Sequence, residues 1–313
     1  MSSGRTEIAV VGSVNVDLVA TVARLPLPGQ TVPALGFEQF SGGKGANQAV
    51  AAARLGRRVA LVGLTGSDAE GAAVRAALAR GGVDVTHLGV ADGAPTGRAI
   101  VLVADDAENS IVVVAGSNAL LGEVDVAAAS EELRDAAVVL AQLEVPVDAV
   151  LAAARGAAGT FVLNPAPARE LPDELLDLVD VLVLNEVEYE VVIGRPLPAD
   201  LADLPAHLAQ SGLRCAVVVT LGGRGAALCQ DGAVVVETPP HVPVVDTTGA
   251  GDTFIGALAD ALSRHEGPPA ALRWAVHAAS LSVGALGATT GMPTSDQVGA
   301  SLARSSTDDG VPR

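Results

Sequence analysis

At 313 residues and 31.1 kDa the chain can bury a large core, and its length admits one large domain or two of ordinary size. Half of the residues are apolar, but only 2% are aromatic and 35 are glycine, so the core must be assembled from small aliphatic side chains, a bias that genome composition could equally produce. A formal charge of −17 and a pI near 4.5 argue against nucleic acid as a partner, and require any phosphate ligand to be held by local amides, a metal or a few cations.

The apolar run before Asn15 and Asp17 is too short for a secretory signal. EIAVVG, at 7–12, predicts a buried strand. GSVNVD then places Asn15 and Asp17 just beyond its end, where open α/β sheets bind ligands. Residues 16–40, with the turn-like LPLPGQ, read as β-hairpin material. GGKGANQA, Gly42 to Ala49, is a glycine turn opening into a helix over 46–55. Lys44 is the only lysine in the chain; unless chance kept it, a compact ammonium there marks a site that a planar guanidinium would not fit. Asn47, one turn on, can both donate to and accept from hydroxyls.

RRVALVGL predicts the next strand and residues 69–80 the next helix. Residues 96–114, two apolar runs flanking DDAEN, predict a second hairpin. Because neither hairpin fits a parallel core, the segments at about 15–40 and 95–115 are expected to form a small separate sheet acting as a lid. DAAVVLAQL, GTFVLNP, VDVLVLN and CAVVVTL continue the strands, with helices at 147–155, 186–193 and 201–211 between them. This alternation predicts a doubly wound, mostly parallel α/β sheet flanked by helices.

Glu144, in AQLEVP, closes a buried strand; it is either a solvated turn or a carboxylate that a polyol would partner. Asn185 and Glu188, in LNEVE, read singly as a helix cap. Beside a phosphate pocket they could instead order the waters around Mg²⁺. TLGGRG, Thr220 to Gly225, is a third glycine turn, suited to nucleotide approach or to a plain β-turn. Two more strands, GAALCQ and AVVVET, precede helices at 250–263 and 269–284.

DTTGAGDTFIG, Asp246 to Gly256, is the sharpest feature: a glycine-rich turn running directly into an apolar helix. The backbone N–H groups of Gly249, Ala250 and Gly251 can face one point at the positive end of the helix dipole, a place for an anion or for charge on a transferred phosphoryl group. Asp252, in the first turn, would meet both that anion and an incoming hydroxyl, and the dipole should keep its carboxylate ionised. A capping aspartate on a glycine turn accounts for the pattern equally well when it is taken alone.

No GxxxxGK[ST] and no strand-following GxGxxG occurs, which argues against a P-loop NTPase and weakens a dinucleotide-binding reading. The longest uncharged run, 274–295, is too weakly hydrophobic to span a bilayer. Cys215 and Cys229 lack metal-ligand spacing, and a reduced, cytoplasmic protein is expected. A single domain over 1–304 is preferred, with 305–313 a disordered tail.

In their order, GSVNVD, PLPGQTV, GGKGANQAVAAARLG, AGSN, QLE, LNPAPARELP, LNEVE, TLGGRG and DTTGAGDTFIG resemble the ribokinase family of PfkB-type carbohydrate kinases, over roughly 8–293. The resemblance implies a ribokinase-like fold and ATP-dependent phosphorylation of a sugar, with LNPAPARELP and QLEVP pointing to O5 of ribose. It implies Asp252 as catalytic base and Gly249, Ala250 and Gly251 as anion hole. Asn15, Asp17, Gly42, Gly43, Lys44, Asn47, Glu144 and Asp252 would contact the sugar. Asn185, Thr220, Gly222, Gly225, Gly251 and His277 would contact nucleotide, and Asn185 with Glu188 would form an element linked to Mg²⁺.

A K⁺ site is implied at Asp246, Thr248 and Gly287, although GATTGMP puts Gly291 where the family often has serine. A homodimer through the lid is implied as well. Rival readings are a family kinase for fructose, a ketogluconate or a nucleoside, a non-catalytic sugar-binding homologue, and, more remotely, a nicotinamide oxidoreductase.

Overall fold

The computed structural model describes residues 5–104 and 108–308, so the first three residues of DDAEN and the last five residues of the expected tail lie outside it. The strands are β1 (Ile8–Val11), β2 (Asn15–Val22), β3 (Ala34–Gly42), β4 (Val59–Gly66), β5 (Val83–Asp84), β6 (Leu88–Ala91) and β7 (Gly97–Ala104). They continue as β8 (Asn109–Val114), β9 (Val138–Gln142), β10 (Thr160–Asn164), β11 (Val181–Asn185), β12 (Ala216–Thr220), β13 (Ala226–Gln230) and β14 (Ala233–Glu237). The helices are α1 (Lys44–Arg54), α2 (Ala69–Arg80), α3 (Glu123–Ala128), α4 (Ser130–Asp135), α5 (Val147–Gly156) and α6 (Asp173–Leu176). After them come α7 (Glu186–Ile193), α8 (Leu204–Ala209), α9 (Ala250–Ser263), α10 (Pro268–Ser282) and α11 (Ser295–Asp308).

Ten strands form the main sheet in the order β14-β13-β12-β11-β10-β9-β1-β4-β5, with β6 also paired to β4. Pairing is parallel except at the β12–β13–β14 edge. Both faces of the sheet are buried, which is why its strands read as unbroken apolar runs. In β1, Ile8 and Val10 enter one core with residues of α1, α9 and α10, while Ala9 and Val11 enter the other with α5, α7 and α8. Alanines supply much of the helix surface against the sheet, letting the layers approach closely.

The chain winds from β1 to β4 on one side, then returns to the other side of β1 with β9. The crevice beyond the ends of β1 and β9 is therefore a topological switch point, the place where such sheets take ligands. It is framed by Ser13, Asn15 and Glu144.

A second, four-stranded sheet has the order β3-β2-β7-β8. Its two halves are antiparallel hairpins, joined by parallel pairing of β2 with β7. At the foot of the first hairpin Asn15 stands opposite Gly42.

Some elements depart from the sequence expectation. The helix predicted over 201–211 is a 3₁₀ turn at Leu201–Asp203 followed by the short α8, because the Asp200 carboxylate caps the N–H of Ala202 and Pro205 restarts the helix. Neither α3 and α4 nor α11 was predicted, and α11 reaches Asp308, four residues into the stretch read as tail. No helix among the described residues is long and apolar enough to cross a membrane.

Candidate active site

The switch-point crevice brings distant motifs together. The Ser13 hydroxyl donates to Glu144 Oε2 at 2.5 Å, and the N–H of Lys44 donates to the same oxygen at 3.0 Å. Glu144 thus pins the start of α1 to the end of β1, and its partner is protein rather than solvent. Asn118, buried after β8, accepts from the N–H of Val14 and donates to Val14 O and Asn15 Oδ1. This fixes the Asn15 amide with its NH₂ directed elsewhere. Asp17, half-buried beside Gly42, is pushed up to about 6 by burial and then by the carboxylates of Glu144 and Asp252.

Asp252 lies at the centre. Its Oδ2 accepts from Asn47 Nδ2 at 2.9 Å and its Oδ1 from Gln48 Nε2 at 3.0 Å. Asp252 keeps some open surface but is otherwise enclosed, and burial raises its pKa despite Lys44 and the two amides. Loss of solvation is thus the larger effect on this carboxylate, opposite in direction to the pull of the helix dipole. Lys44 shows the opposite balance, since burial acts to lower its pKa but Asp252, Glu144 and Glu188 together raise it, and the ammonium stays charged.

Two connected cavities adjoin this carboxylate. A polar recess of about 160 Å³ is lined by Lys44, Asn185, Glu188, Gly249, Gly251 and Asp252. A larger, mainly apolar cleft of about 480 Å³ runs on through Thr220 and Gly251, past Gly222 and Gly225, to Phe254 and Val276. The Lys44 side chain therefore faces the recess, between the Glu144–Asp17 crevice and the cleft, rather than the crevice alone. Asn185 and Glu188 form a reciprocal capping box at the start of α7, with Glu188 N donating to Asn185 Oδ1 at 2.8 Å and Asn185 N to Glu188 Oε2 at 2.9 Å. The capping role and a position in the recess coexist. Burial raises the Glu188 carboxyl more than its bonds to Asn185 and Asn164 and the Lys44 charge lower it.

Two expectations are not met. The N–H of Ala250 is taken by the Thr247 carbonyl at 3.2 Å, and Ala250 does not line the recess, whereas Gly249 and Gly251 do. His277 does not reach the cleft: it is buried, its Nδ1 is bonded to Ser301 Oγ at 2.9 Å, and burial lowers its pKa. Its predecessor Val276 and Ser280, one helical turn on, line the cleft in its place.

At the loop before α9, Asp246 Oδ1 accepts from Thr248 N and Oγ1, and its Oδ2 accepts from Gly287 N at 2.8 Å. Burial opposes ionisation of Asp246, but these bonds outweigh it and hold its pKa low. At Gly291 any Cβ would collide with the Ser282 carbonyl, so position 291 itself has no room for a side-chain ligand.

Sequence reasoning assigned no role to Ser13, Gln48, Asn118, Gln142 or Asn164, which buttress the site. Their only signal was membership of the quoted motifs.

Residues 5–295 match the model of the pfkB family carbohydrate kinases. A ribokinase of Haemophilus influenzae is 38% identical over 295 residues, covering 93% of this chain and 96% of the relative. One from Bacillus subtilis is 39% identical, covering 93% and 97%. Among solved structures, an Arabidopsis thaliana ribokinase complexed with ribose and ATP superposes with a TM-score of 0.89 at 34% identity, covering 96% of this chain and 99% of that one.

Proposed function

The chain belongs to the pfkB family of carbohydrate kinases, and from that premise we propose that it transfers the terminal phosphoryl group of ATP to the 5-hydroxyl of ribose. One observation carries the reading: a carboxylate, Asp252, stands where a hydroxyl-reading crevice meets an anion-sized polar recess and an apolar nucleotide-sized cleft. Ribose occupies the crevice, with Asn15, Asp17, Gly42, Gly43, Asn47 and Glu144 reading its hydroxyls. The base of ATP lies in the cleft and its phosphates extend past Thr220 to Lys44.

Asp252 takes the proton of the attacking hydroxyl. Its raised pKa makes it a better base than a solvated carboxylate, and in a loose transition state the proton leaves late, so position matters more than basicity. The amides of Gly249 and Gly251, at the positive end of α9, and the Lys44 ammonium stabilise charge on the transferred group. Asn185 and Glu188 are suited to the hydration shell of Mg²⁺, which when bound neutralises phosphate charge. The ionised Asp246, with Thr248 and Gly287, suits a monovalent cation such as K⁺, which would be held without a side chain at Gly291.

We read the molecule as a cytoplasmic homodimer joined through its lid. Support comes from the free cysteines and from β8, an edge strand that exposes Ile111, Val112, Val113 and Val114.

The test is ATP consumption across ribose, fructose, a ketogluconate and nucleosides, each with and without K⁺. Ribose is expected to give the highest kcat/KM, and another acceptor winning by a wide margin refutes the assignment. Asp252→Asn is expected to lower kcat by orders of magnitude while leaving ribose binding nearly intact.

A further inference from the structure

A buried line of side-chain amides stands behind the Asp252 carboxylate. Gln48 on α1 and Gln142 at the end of β9 are fully buried, and Asn164 at the end of β10 nearly so. Gln48 Nε2 donates to Asp252 Oδ1 at 3.0 Å and more weakly to Asn164 Oδ1 at 3.4 Å. Gln48 Oε1 accepts from Gln142 Nε2 at 2.6 Å. Asn164 Nδ2 donates to the Val183 carbonyl at 3.1 Å and stands 3.5 Å from Glu188 Oε2.

The direction of each amide is dictated by the next. A carboxylate only accepts, so Gln48 must turn its NH₂ to Asp252; its carbonyl then faces Gln142, which must present NH₂ in turn. Reversing either amide sets oxygen against oxygen. The cost appears at the end of the line, where Gln142 Oε1 has no hydrogen-bond partner among the described residues. It lies in space that exists because Gly12 has no Cβ. A buried carbonyl without a partner is unfavourable and uncommon, and an apolar side chain of similar volume would avoid it if packing were the only demand.

We propose that Gln48 and Gln142 are a positioning pair for the transfer reaction, fixing Asp252 by Oδ1 so that Oδ2, shared only with Asn47, faces the acceptor hydroxyl. The pair acts through the polarity of its amides rather than through their volume. This rests on the reading of Asp252 as the base.

The test is Gln142→Met, which removes both the unpartnered oxygen and the donor to Gln48. We expect kcat to fall about tenfold, because Gln48 loses the donor that holds its amide toward Asp252, with the ribose KM within about threefold and the melting temperature not lowered. A packing role predicts the reverse, a lower melting temperature with kcat retained, and that result overturns the proposal. If Gln142→Met does lower the melting temperature, isosteric Gln48→Glu decides, measured well below its transition: loss of kcat with KM retained supports the pair, and retained kcat overturns it. Wild type assayed alongside separates the failures. Ribose turnover in wild type with unchanged kcat in both variants sinks the pair alone, whereas no turnover in wild type sinks the reading of the site and the pair with it.

Discussion

Replacing Asp17 by Asn should stabilise the free protein at neutral pH while weakening its hold on the acceptor. The Asp17 carboxyl titrates at about 6 against an ordinary 3.8. A folded-state pKa above the unfolded value means that the folded state binds the proton more tightly. The resulting stabilisation is full below about pH 4 and is lost as the pH rises through about 6. Above that, keeping Asp17 ionised costs about 3 kcal/mol at 1.36 kcal/mol per pH unit, and partial exposure with solvent screening reduces this to about 1–3 kcal/mol. Asn is nearly isosteric and carries no charge. The Asp17→Asn protein should therefore be more stable than wild type by about 1–3 kcal/mol at pH 8 and equal to it near pH 4, read from denaturant unfolding at both values. Its ribose kcat/KM should fall about ten- to a hundredfold, because a charged acceptor of hydroxyl hydrogen bonds is gone. Equal stability of the two proteins at both pH values would refute the reasoning.

His277→Ala should leave the KM for ATP within about twofold, since the ring faces Ser301, and should cost about 1–3 kcal/mol of stability on denaturant unfolding, the usual penalty for stranding a buried partner. Gly249→Ala forces a side chain into a left-handed backbone, φ 75°, against the Ala288 carbonyl. Turnover should drop at least tenfold as the amides at the head of α9 are displaced, measured by steady-state kinetics. Ile111→Lys with Val113→Lys should convert a dimer to a monomer in sedimentation analysis; a wild-type protein already monomeric at micromolar concentration removes the basis for that expectation.

The parallel core was legible in the sequence because its strands are buried on both faces and stand out as apolar runs without alternation. The lid was legible for the opposite reason, as two segments that broke the strand–helix rhythm. The pairing of β2 with β7 was not, since nothing local to either strand encodes a partner some eighty residues away. The place of Gly249, Gly251 and Asp252 at the head of α9 could be read because a glycine turn running into an apolar segment marks a helix start. The roles of Gln48, Gln142 and Asn164 could not, because their meaning arises from contacts spanning 94 to 204 residues. His277 shows the limit of reading a helix face by motif: one residue turns a side chain by about 100°, enough to exchange a ligand-facing position for one beneath a neighbouring helix. The residue that His277 bonds, Ser301, lies on α11, a helix absent from the sequence expectation.

Asn15 and Gly42 stand opposite each other at the root of the β2–β3 hairpin, so the second sheet and one wall of the switch-point crevice are one piece of chain. The larger apolar cleft hangs from the turns after β12 and before α9. On the proposed reading the acceptor and the phosphoryl donor are read by different segments that meet at Lys44 and Asp252. Changes in the hairpin away from Lys44 would then re-gauge which alcohol is accepted while leaving the grip on the phosphoryl donor in place.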